Sequence, residues 1–149
     1  MKIYLASDHA GYDLKEKLKP HLSSLGHEVL DMGNVLYEET DDYPDFIIPL
    51  AKTVALDPNN CRGIILGGSG QGEAMAANRV LGARAIVIYS YNEKIIKLSR
   101  EHNDANIISF GAWFISEDLA KQSLKLWLET PFSKEERHTR RIKKIDELV

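Results

Sequence analysis

The chain has 149 residues and a net charge of −3, and a chain of this length can bury about 70% of the surface that its unfolded form exposes, which makes stabilising disulfides or metals unnecessary. Its single cysteine, Cys61, has no partner for an intramolecular bridge, and Asp8 interrupts the N-terminal apolar run too early for a signal peptide, so we expect a reducing, cytoplasmic location. Acidic side chains concentrate between residues 28 and 45, where no Lys or Arg occurs, and no apolar run approaches membrane-spanning length, so neither nucleic acid nor a membrane is an expected partner.

The first third of the chain predicts strands and helices in alternation. Residues 3–6 are an apolar run typical of a buried strand, and leucines then recur at helical spacing until Gly26. Residues 29–30 predict a short second strand. Pro44 suits the first turn of the next helix, whereas Pro49 inside the same apolar segment weighs against an unbroken helix.

The rest of the chain continues this alternation. Strands are predicted at residues 63–66, 85–89 and 106–110, and helices after the third strand, at 93–102, at 116–128 and from 133 to the C-terminus. Continuously apolar strands that alternate with helices are typical of a parallel sheet covered on both faces, with right-handed crossovers. We therefore predict an α/β fold: a single three-layer, Rossmann-like domain over residues 1–149, with five parallel strands and a C-terminal helix.

In such a sheet, ligands bind beyond the carboxyl ends of the strands. Asp8 and His9 follow the first predicted strand, a glycine-rich loop follows the third, and residues 111–113 follow the fifth, so these segments should share one edge. His102 and Asn103 end a helix that precedes the last strand, and should lie at the opposite edge. They could serve the same site only across a dimer interface.

The glycine-rich loop is the most informative segment, and it reads Gly67-Gly68-Ser69-Gly70-Gln71-Gly72-Glu73. Its glycines let backbone N–H groups converge, and the helix that follows adds its positive end, which favours a bound anion. The spacing from Gly67 to Gly72 fits a P-loop, but Glu73 and Ala74 replace the Lys and hydroxyl residues that hold a triphosphate and magnesium. The dinucleotide fingerprint G-x-G-x-x-G also fails. What remains is an anion-binding loop that carries one carboxylate.

The C-terminal helix offers a second candidate for anion binding. Arg137 and Arg141 are four residues apart and share a helix face, so they could clamp a phosphate, although a solvated basic face would have the same pattern. A separate, mostly apolar face carries His138, Ile142, Ile145 and Val149, so His138 is expected to pack. A metal site is not expected, since the sequence has neither H-E-x-x-H nor a Cys/His cluster.

Five motifs in order along the chain resemble the ribose-5-phosphate isomerase B family, whose wider family includes galactose-6-phosphate isomerase. They are Ser7-Asp8-His9-Ala10-Gly11, Asp42-Tyr43-Pro44, Gly68-Ser69-Gly70-Gln71-Gly72-Glu73, the segment from Arg100 to Asn106, and Arg137-His138. The resemblance implies a sugar-phosphate substrate, an enediolate intermediate, a homodimer or dimer of dimers with shared sites, and neither metal nor cofactor. The reaction would interconvert ribose 5-phosphate and ribulose 5-phosphate.

The chemistry of the loop agrees with this resemblance. Enolising an α-hydroxy carbonyl requires a base for the carbon-bound proton and donors for the charge on oxygen, which Glu73 and the loop N–H groups could supply. Many family members have a Cys base at the position of Gly67, whereas another branch has Gly there and Glu at the position of Glu73, as here. Alternatively, Glu73 only complements the helix dipole.

The resemblance also assigns roles to single residues. It implies that Asp8 contacts the sugar near its ring oxygen, His9 lies near the phosphate, His102 promotes ring opening and Asn103 binds the enediolate oxygen. Each has a purely structural alternative: a buried Asp–His pair for the first two and a helix C-cap for the others.

The full set of expected catalytic residues is Asp8, Ser69, Glu73 and His102. The expected substrate-binding residues are Asp8, His9, Tyr43, Gly68, Ser69, Gly70, Gln71, Gly72, Asn103, Arg137 and Arg141. Ser69 and Tyr43 are also explained by a turn residue and by packing at the start of a helix.

Trp113 departs from the family pattern, which commonly has a phosphate-binding Arg at this position. The substrate could therefore be another phosphosugar, such as a hexose 6-phosphate or tetrose 4-phosphate, and a non-catalytic sugar-phosphate sensor is a further alternative. A phosphoacceptor receiver domain has the same size but needs an Asp after the third strand and a Lys after the fifth. Gly67 and residues 111–113 supply neither.

Overall fold

Five parallel strands form the sheet of the computed structural model, which describes residues 1–147. The strands are β1 (Lys2–Ser7), β2 (Glu28–Asp31), β3 (Cys61–Gly67), β4 (Ala85–Ile88) and β5 (Ile107–Gly111), in the order β2-β1-β3-β5-β4. The central strands β3 and β5 are almost wholly buried, which explains their continuous apolar sequence. The predicted parallel sheet is confirmed.

Helices cover both faces of this sheet. They are α1 (Tyr12–Ser24), α2 (Pro44–Leu56), α3 (Gln71–Ala77), α4 (Glu93–Glu101), α5 (Glu117–Glu129) and α6 (Glu136–Asp146), with a 3₁₀ turn at His9–Gly11. Apolar side chains of α1, α4 and α5 form one core with the sheet, and those of α2 and α3 form a second core on the other face. The three-layer α/β fold is thus confirmed. Within residues 1–147, every helix is too short or too polar to cross a membrane.

Some element boundaries differ from the sequence prediction. Helix α2 runs unbroken through Pro49, although the proline lacks the N–H for an intrahelical hydrogen bond and its ring crowds the carbonyl group of Asp45. Strand β3 begins at Cys61 rather than residue 63, so Cys61 lies in the strand and is buried at its amino end. Helix α6 begins at Glu136 instead of 133. Val149, assigned to the apolar face of that helix, lies outside the described residues.

The strand order places a reversal point between β1 and β3. The chain passes from β1 to β2 on one side, and on the other side from β3 to the edge strand β4 and back to β5, which lies between them. Ser7 at the end of β1 pairs in register with Leu66 near the end of β3. Asp8 and the glycine loop therefore emerge side by side at the place where open α/β sheets bind ligands.

Candidate active site

The turn after β1 fixes Asp8 at the carboxyl edge of the sheet. Asp8 is only 8% exposed, and its Oδ1 accepts a hydrogen bond of 3.1 Å from the backbone N–H of Gly11. A Cβ atom at Gly11 would lie 2.5 Å from the carbonyl carbon of Leu66, so only glycine allows this turn to pack so closely on β3. The sequence thereby brings Asp8 next to the glycine loop, as predicted.

A side chain of β5 stabilises the glycine loop through a hydrogen bond. Gly70 has a φ of +72°, in the left-handed region that favours glycine, and its carbonyl oxygen accepts a 2.7 Å hydrogen bond from Ser109 Oγ. Ser69 Oγ accepts a bond of 3.3 Å from the N–H of Gln71, so this hydroxyl shapes the loop whatever else it contacts. Gly68 and Gly70 are buried, whereas Gln71 is exposed.

Glu73 folds back from the first turn of α3 over the end of β3. Its side chain is buried, and its carboxyl group fills the space that a side chain at Gly67 would occupy, with Oε1 1.9 Å from the position of a Cβ atom there. Burial raises the pKa of Glu73, and the nearby charge of Asp8 acts in the same direction. Burial likewise raises the pKa of Asp8. The structure thus brings together two carboxyl groups that bind protons more readily than surface acids do.

Two aromatic rings border the glycine loop. The Trp113 indole lies against Gly68, where a Cβ atom would stand 2.8 Å from the ring, and the indole is 73% exposed. The backbone N–H of Trp113 also donates a 3.2 Å bond to the carbonyl oxygen of Gly68. Tyr43 packs against Gly72, whose Cβ atom would lie 2.9 Å from the phenol oxygen. A side chain at either glycine would therefore have to displace the ring beside it.

Asp41 and Asn34 are polar residues of this site that the motif analysis missed. Asp41 Oδ1 accepts a 2.7 Å bond from Nδ1 of His9, and its Oδ2 accepts a 2.8 Å bond from Asn34 Nδ2. Burial acts to raise the pKa of Asp41, but the hydrogen bonds from His9 and Asn34 outweigh it and lower that pKa. The run of acidic residues before α2 was the available signal, although nothing in it distinguishes Asp41 from its neighbours.

Asp8, His9 and Asp41 each place a donor atom within 4.8 Å of the others. These are residue types that can ligate a metal, and no sequence motif pointed to the group. The Nδ1 of His9 and both carboxyl groups already take part in hydrogen bonds to protein atoms. The sequence-based expectation of a metal-free site stays a prediction.

His102 and Asn103 lie at the other edge of the sheet. His102 caps the C-terminus of α4, and its ring stacks on that of His138 with centroids 4.0 Å apart. Burial and the neighbouring His102 lower the pKa of His138, which packs as predicted. The two rings border a cavity of about 450 Å³ that Asn103 and Arg141 also line.

The two arginines of α6 are in different environments. Arg141 borders the cavity next to His102, whereas Arg137 is exposed and its Nε donates a 2.8 Å hydrogen bond to Glu135. In this conformation the two guanidinium groups do not form a clamp. Arg137 would have to leave Glu135 in order to bind a phosphate beside Arg141.

The length of the strands separates the two halves of the predicted site. His102 precedes β5, whose five residues span about 13 Å at about 3.3 Å per residue, and Glu73 lies beyond the far end of the adjacent strand. That distance exceeds the hydrogen-bond reach of two groups acting on neighbouring atoms of one substrate. Within one chain, the structure therefore does not bring His102 together with Glu73.

Comparison with known proteins identifies the family of this chain. Residues 3–145 match the protein family described as Ribose/Galactose Isomerase. The chain belongs to this family. Among its members, ribose-5-phosphate isomerase B of Mycobacterium tuberculosis is 44% identical over 142 residues, which cover 95% of this chain and 86% of the relative.

Solved structures of the ribose/galactose isomerase family have the same fold. Ribose-5-phosphate isomerase B of Mycoplasma genitalium, crystallised with bound ribulose-5-phosphate, superposes with a TM-score of 0.92 at 35% identity, covering 99% of this chain and 95% of that one. The enzyme from Clostridium thermocellum gives a TM-score of 0.91 at 41% identity, covering 99% and 97%. The family predicted from five motifs is confirmed, while the roles of single residues stay predictions.

Proposed function

We propose that this protein is a metal-free aldose–ketose isomerase that interconverts ribose 5-phosphate and ribulose 5-phosphate, with Glu73 as the base. The observation that carries this proposal is the buried Glu73 carboxyl group, which lies over Gly67 at the mouth of the glycine loop and beside Asp8. Relatives named ribose-5-phosphate isomerase B support the choice of substrate. Residues 1–149 would act as one isomerase domain in the cytoplasm.

The position of Glu73 supports its role as a base. A side chain at residue 67 and the carboxyl group of Glu73 would occupy the same space, so either one could address the same substrate carbon. We expect this overlap if a Cys at position 67 and a Glu at position 73 are alternative bases in the family. A pKa above the ordinary Glu range also makes the carboxylate a better proton acceptor.

In the proposed reaction, Glu73 moves one proton between adjacent carbons. Its carboxylate removes the proton from carbon 2 of the open-chain aldose, and the electron pair forms the enediolate. The carboxylic acid then returns the proton to carbon 1 while the hydroxyl proton on oxygen 2 passes to oxygen 1, which leaves a carbonyl group at carbon 2 and gives the ketose. N–H groups of residues 68–72 stabilise the negative oxygen, and Asp8 holds the sugar near its ring oxygen.

A second subunit supplies the remaining groups. Because His102 and Asn103 lie at the wrong edge of their own sheet, we propose that a homodimer, or a dimer of dimers, places them over the glycine loop of the neighbouring chain. His102 then opens the sugar ring and Asn103 binds the enediolate oxygen. Arg141, which shares a cavity with His102, would arrive with it and meet the phosphate together with Arg137 and His9.

Shared sites predict that two inactive variants restore each other. Chains carrying Glu73→Gln and chains carrying His102→Ala should each be inactive, but co-expressed heterodimers should regain activity, because one of their two sites carries neither lesion. Steady-state rates of purified, doubly tagged heterodimers measure this, and each homodimer prepared in the same way is the control. A heterodimer as inactive as its parents would place both residues in the site of one subunit.

Trp113 is the observation that favours a second candidate, an isomerase of another phosphosugar. Its indole covers Gly68 in the loop and cannot pair with a phosphate dianion, although it can stack on a sugar. We expect Trp113→Arg to lower KM for ribose 5-phosphate or leave it unchanged if that sugar is the substrate. If the pocket is shaped for another sugar, the change should reduce activity on that sugar and raise it on ribose 5-phosphate.

The measurement is kcat/KM of both proteins on a panel of four-, five- and six-carbon sugar phosphates, with a coupled assay for each product. Turnover of ribose 5-phosphate above all others supports the proposal. If the protein turns over none of them, it is a sugar-phosphate sensor rather than an enzyme. If Trp113→Arg loses both the dimer and all activity, the indole packs at a subunit interface.

A further inference from the structure

His9 is held by a carboxylate from a distant part of the chain. Asp41 Oδ1 accepts hydrogen bonds both from the backbone N–H of His9, at 3.1 Å, and from its ring Nδ1, at 2.7 Å. A carboxylate only accepts, so Nδ1 carries the proton in this pair. The Asp41 side chain is 3% exposed and that of His9 is 32% exposed, which leaves Nε2 as the ring nitrogen available to a ligand.

Asp41 is itself fixed by a buried polar network. Asn34 Nδ2 donates to Asp41 Oδ2, and the backbone N–H of Asn34 donates a 2.8 Å bond to the carbonyl oxygen of Ser7 at the end of β1. The carbonyl oxygen of Asn34 accepts a hydrogen bond from Lys15 Nζ, a fully buried group that also pairs with Asp31 at 2.8 Å. The direction of the Asp41 carboxylate is therefore set by the folded core rather than by a mobile surface loop.

Among the described residues of one chain, the largest charge effects on His9 come from acidic groups. Asp41 contacts it directly, Asp8 precedes it and Glu39 lies on the same loop as Asp41, while the edge of the Tyr37 ring packs 6.4 Å away. The hydrogen bond to Asp41 raises the pKa of His9; burial of the ring opposes this, and the charges of all three acids add to the rise. The imidazole is thus biased toward its cationic form.

We propose that Asp41 is a positioning residue that fixes the His9 ring through its Nδ1 and favours the cationic form of that ring, so that Nε2–H presents a positive charge to the substrate phosphate. This inference rests on the phosphate-binding role of His9 in the proposed function. Asp41 touches no substrate and acts only through the imidazole. A fixed cation at this position offers the dianion a charge-assisted hydrogen bond, in a protein whose Trp113 side chain cannot provide one.

The test is Asp41→Asn, which preserves size and can still accept hydrogen bonds but removes the charge. We expect His9 to titrate at lower pH than in the wild type, as followed by NMR of its ring protons. At pH 8, KM for ribose 5-phosphate should rise about fivefold or more with kcat nearly unchanged, because a charge-assisted hydrogen bond to phosphate becomes a weaker, neutral one. At pH 6 a larger fraction of His9 in the variant carries the second proton, so the difference in KM should shrink.

Two further variants separate this role from simple support of the loop. Glu38→Gln removes one negative charge from the same exposed loop, with no hydrogen bond to His9, and should change neither the titration nor KM. In a His9→Gln background, Asp41→Asn should cause no further rise in KM, since Asp41 acts through His9 alone. An unchanged His9 titration, an additive loss in the double variant, or a KM effect equal at both pH values would overturn the inference.

Inorganic phosphate provides a readout that does not depend on turnover. Adding it to the wild-type protein should shift the His9 ring signals and raise the pH at which they titrate, and Asp41→Asn should weaken that binding at pH 8. If the protein turns over no ribose 5-phosphate, the proposed function fails, yet this titration still decides the inference. Phosphate that leaves the His9 signals unmoved would refute the role of His9, and with it that of Asp41.

Discussion

Replacing Glu73 with Gln should lower kcat for ribose 5-phosphate by about 100-fold or more, because the amide keeps the size of the side chain but cannot accept the carbon-bound proton. Within residues 1–147, no cationic group acts on the buried Glu73 carboxyl group, so its loss should not leave a charge uncompensated and the fold should tolerate the change. KM should change little. Steady-state rates with ribose 5-phosphate, together with loss of deuterium from carbon 2 of labelled substrate, measure the effect.

The pH dependence of the wild-type enzyme provides a second check on this base. Because burial and Asp8 raise the pKa of Glu73, the carboxyl group is protonated and inactive at pH values where an ordinary Glu is already ionised. Activity should therefore fall toward acid pH through a midpoint above the usual Glu range. Glu73→Gln should lose this acid limb along with its activity.

Cys61 provides the control experiment that tests whether a thiol, rather than Glu73, acts as the base. It is buried at the amino end of β3, far from the glycine loop, and burial raises the pKa of its thiol, which disfavours the reactive thiolate. Cys61→Ala should therefore retain activity. Full activity in Glu73→Gln, or loss of it in a folded Cys61→Ala protein, would show that the base has been assigned to the wrong residue.

Most of the fold could be predicted because its signals are local. Each central strand is a short, continuously apolar run, and Gly26 and Pro44 mark helix boundaries through backbone geometry that needs no tertiary information. Pro49 shows the limit of such rules. Its missing N–H weighs against a helix in isolation, but Ile47, Leu50 and Val54 are fully buried against the sheet, and this packing keeps α2 continuous.

Fold topology predicts the candidate site only where its residues follow strands, whereas Tyr43, at the start of α2, was expected from the family resemblance. Asp8, the glycine loop and Trp113 come directly after β1, β3 and β5, so the topology alone brings them to one edge. Asp41 lies in the long connection between β2 and α2, where no periodicity specifies the path of the chain. Its contact with His9 spans 32 residues and depends on the network through Asn34, which no short motif encodes.

Gly67→Ala tests whether the location of the Glu73 carboxyl group, and not only its charge, is required for activity. The added methyl group would lie 1.9 Å from Oε1 and 2.1 Å from Cδ of Glu73, so the carboxyl group must move away. This end of the side chain is flexible, and Gly67 does not have a positive φ, so the backbone accepts alanine and the thermal unfolding temperature should change little.

Activity, in contrast, should fall about 100-fold, since displacing a catalytic group by even about 1 Å can cost that much. The comparison is kcat of Gly67→Ala, Glu73→Gln and the double variant, with unfolding curves for each. If the methyl group acts by displacing the carboxylate, the double variant should be no slower than Glu73→Gln alone, because no base remains to be moved. Multiplied losses would mean that Gly67 serves the loop in another way, and normal turnover in Gly67→Ala would mean that the proton is not removed from the position where Glu73 now lies.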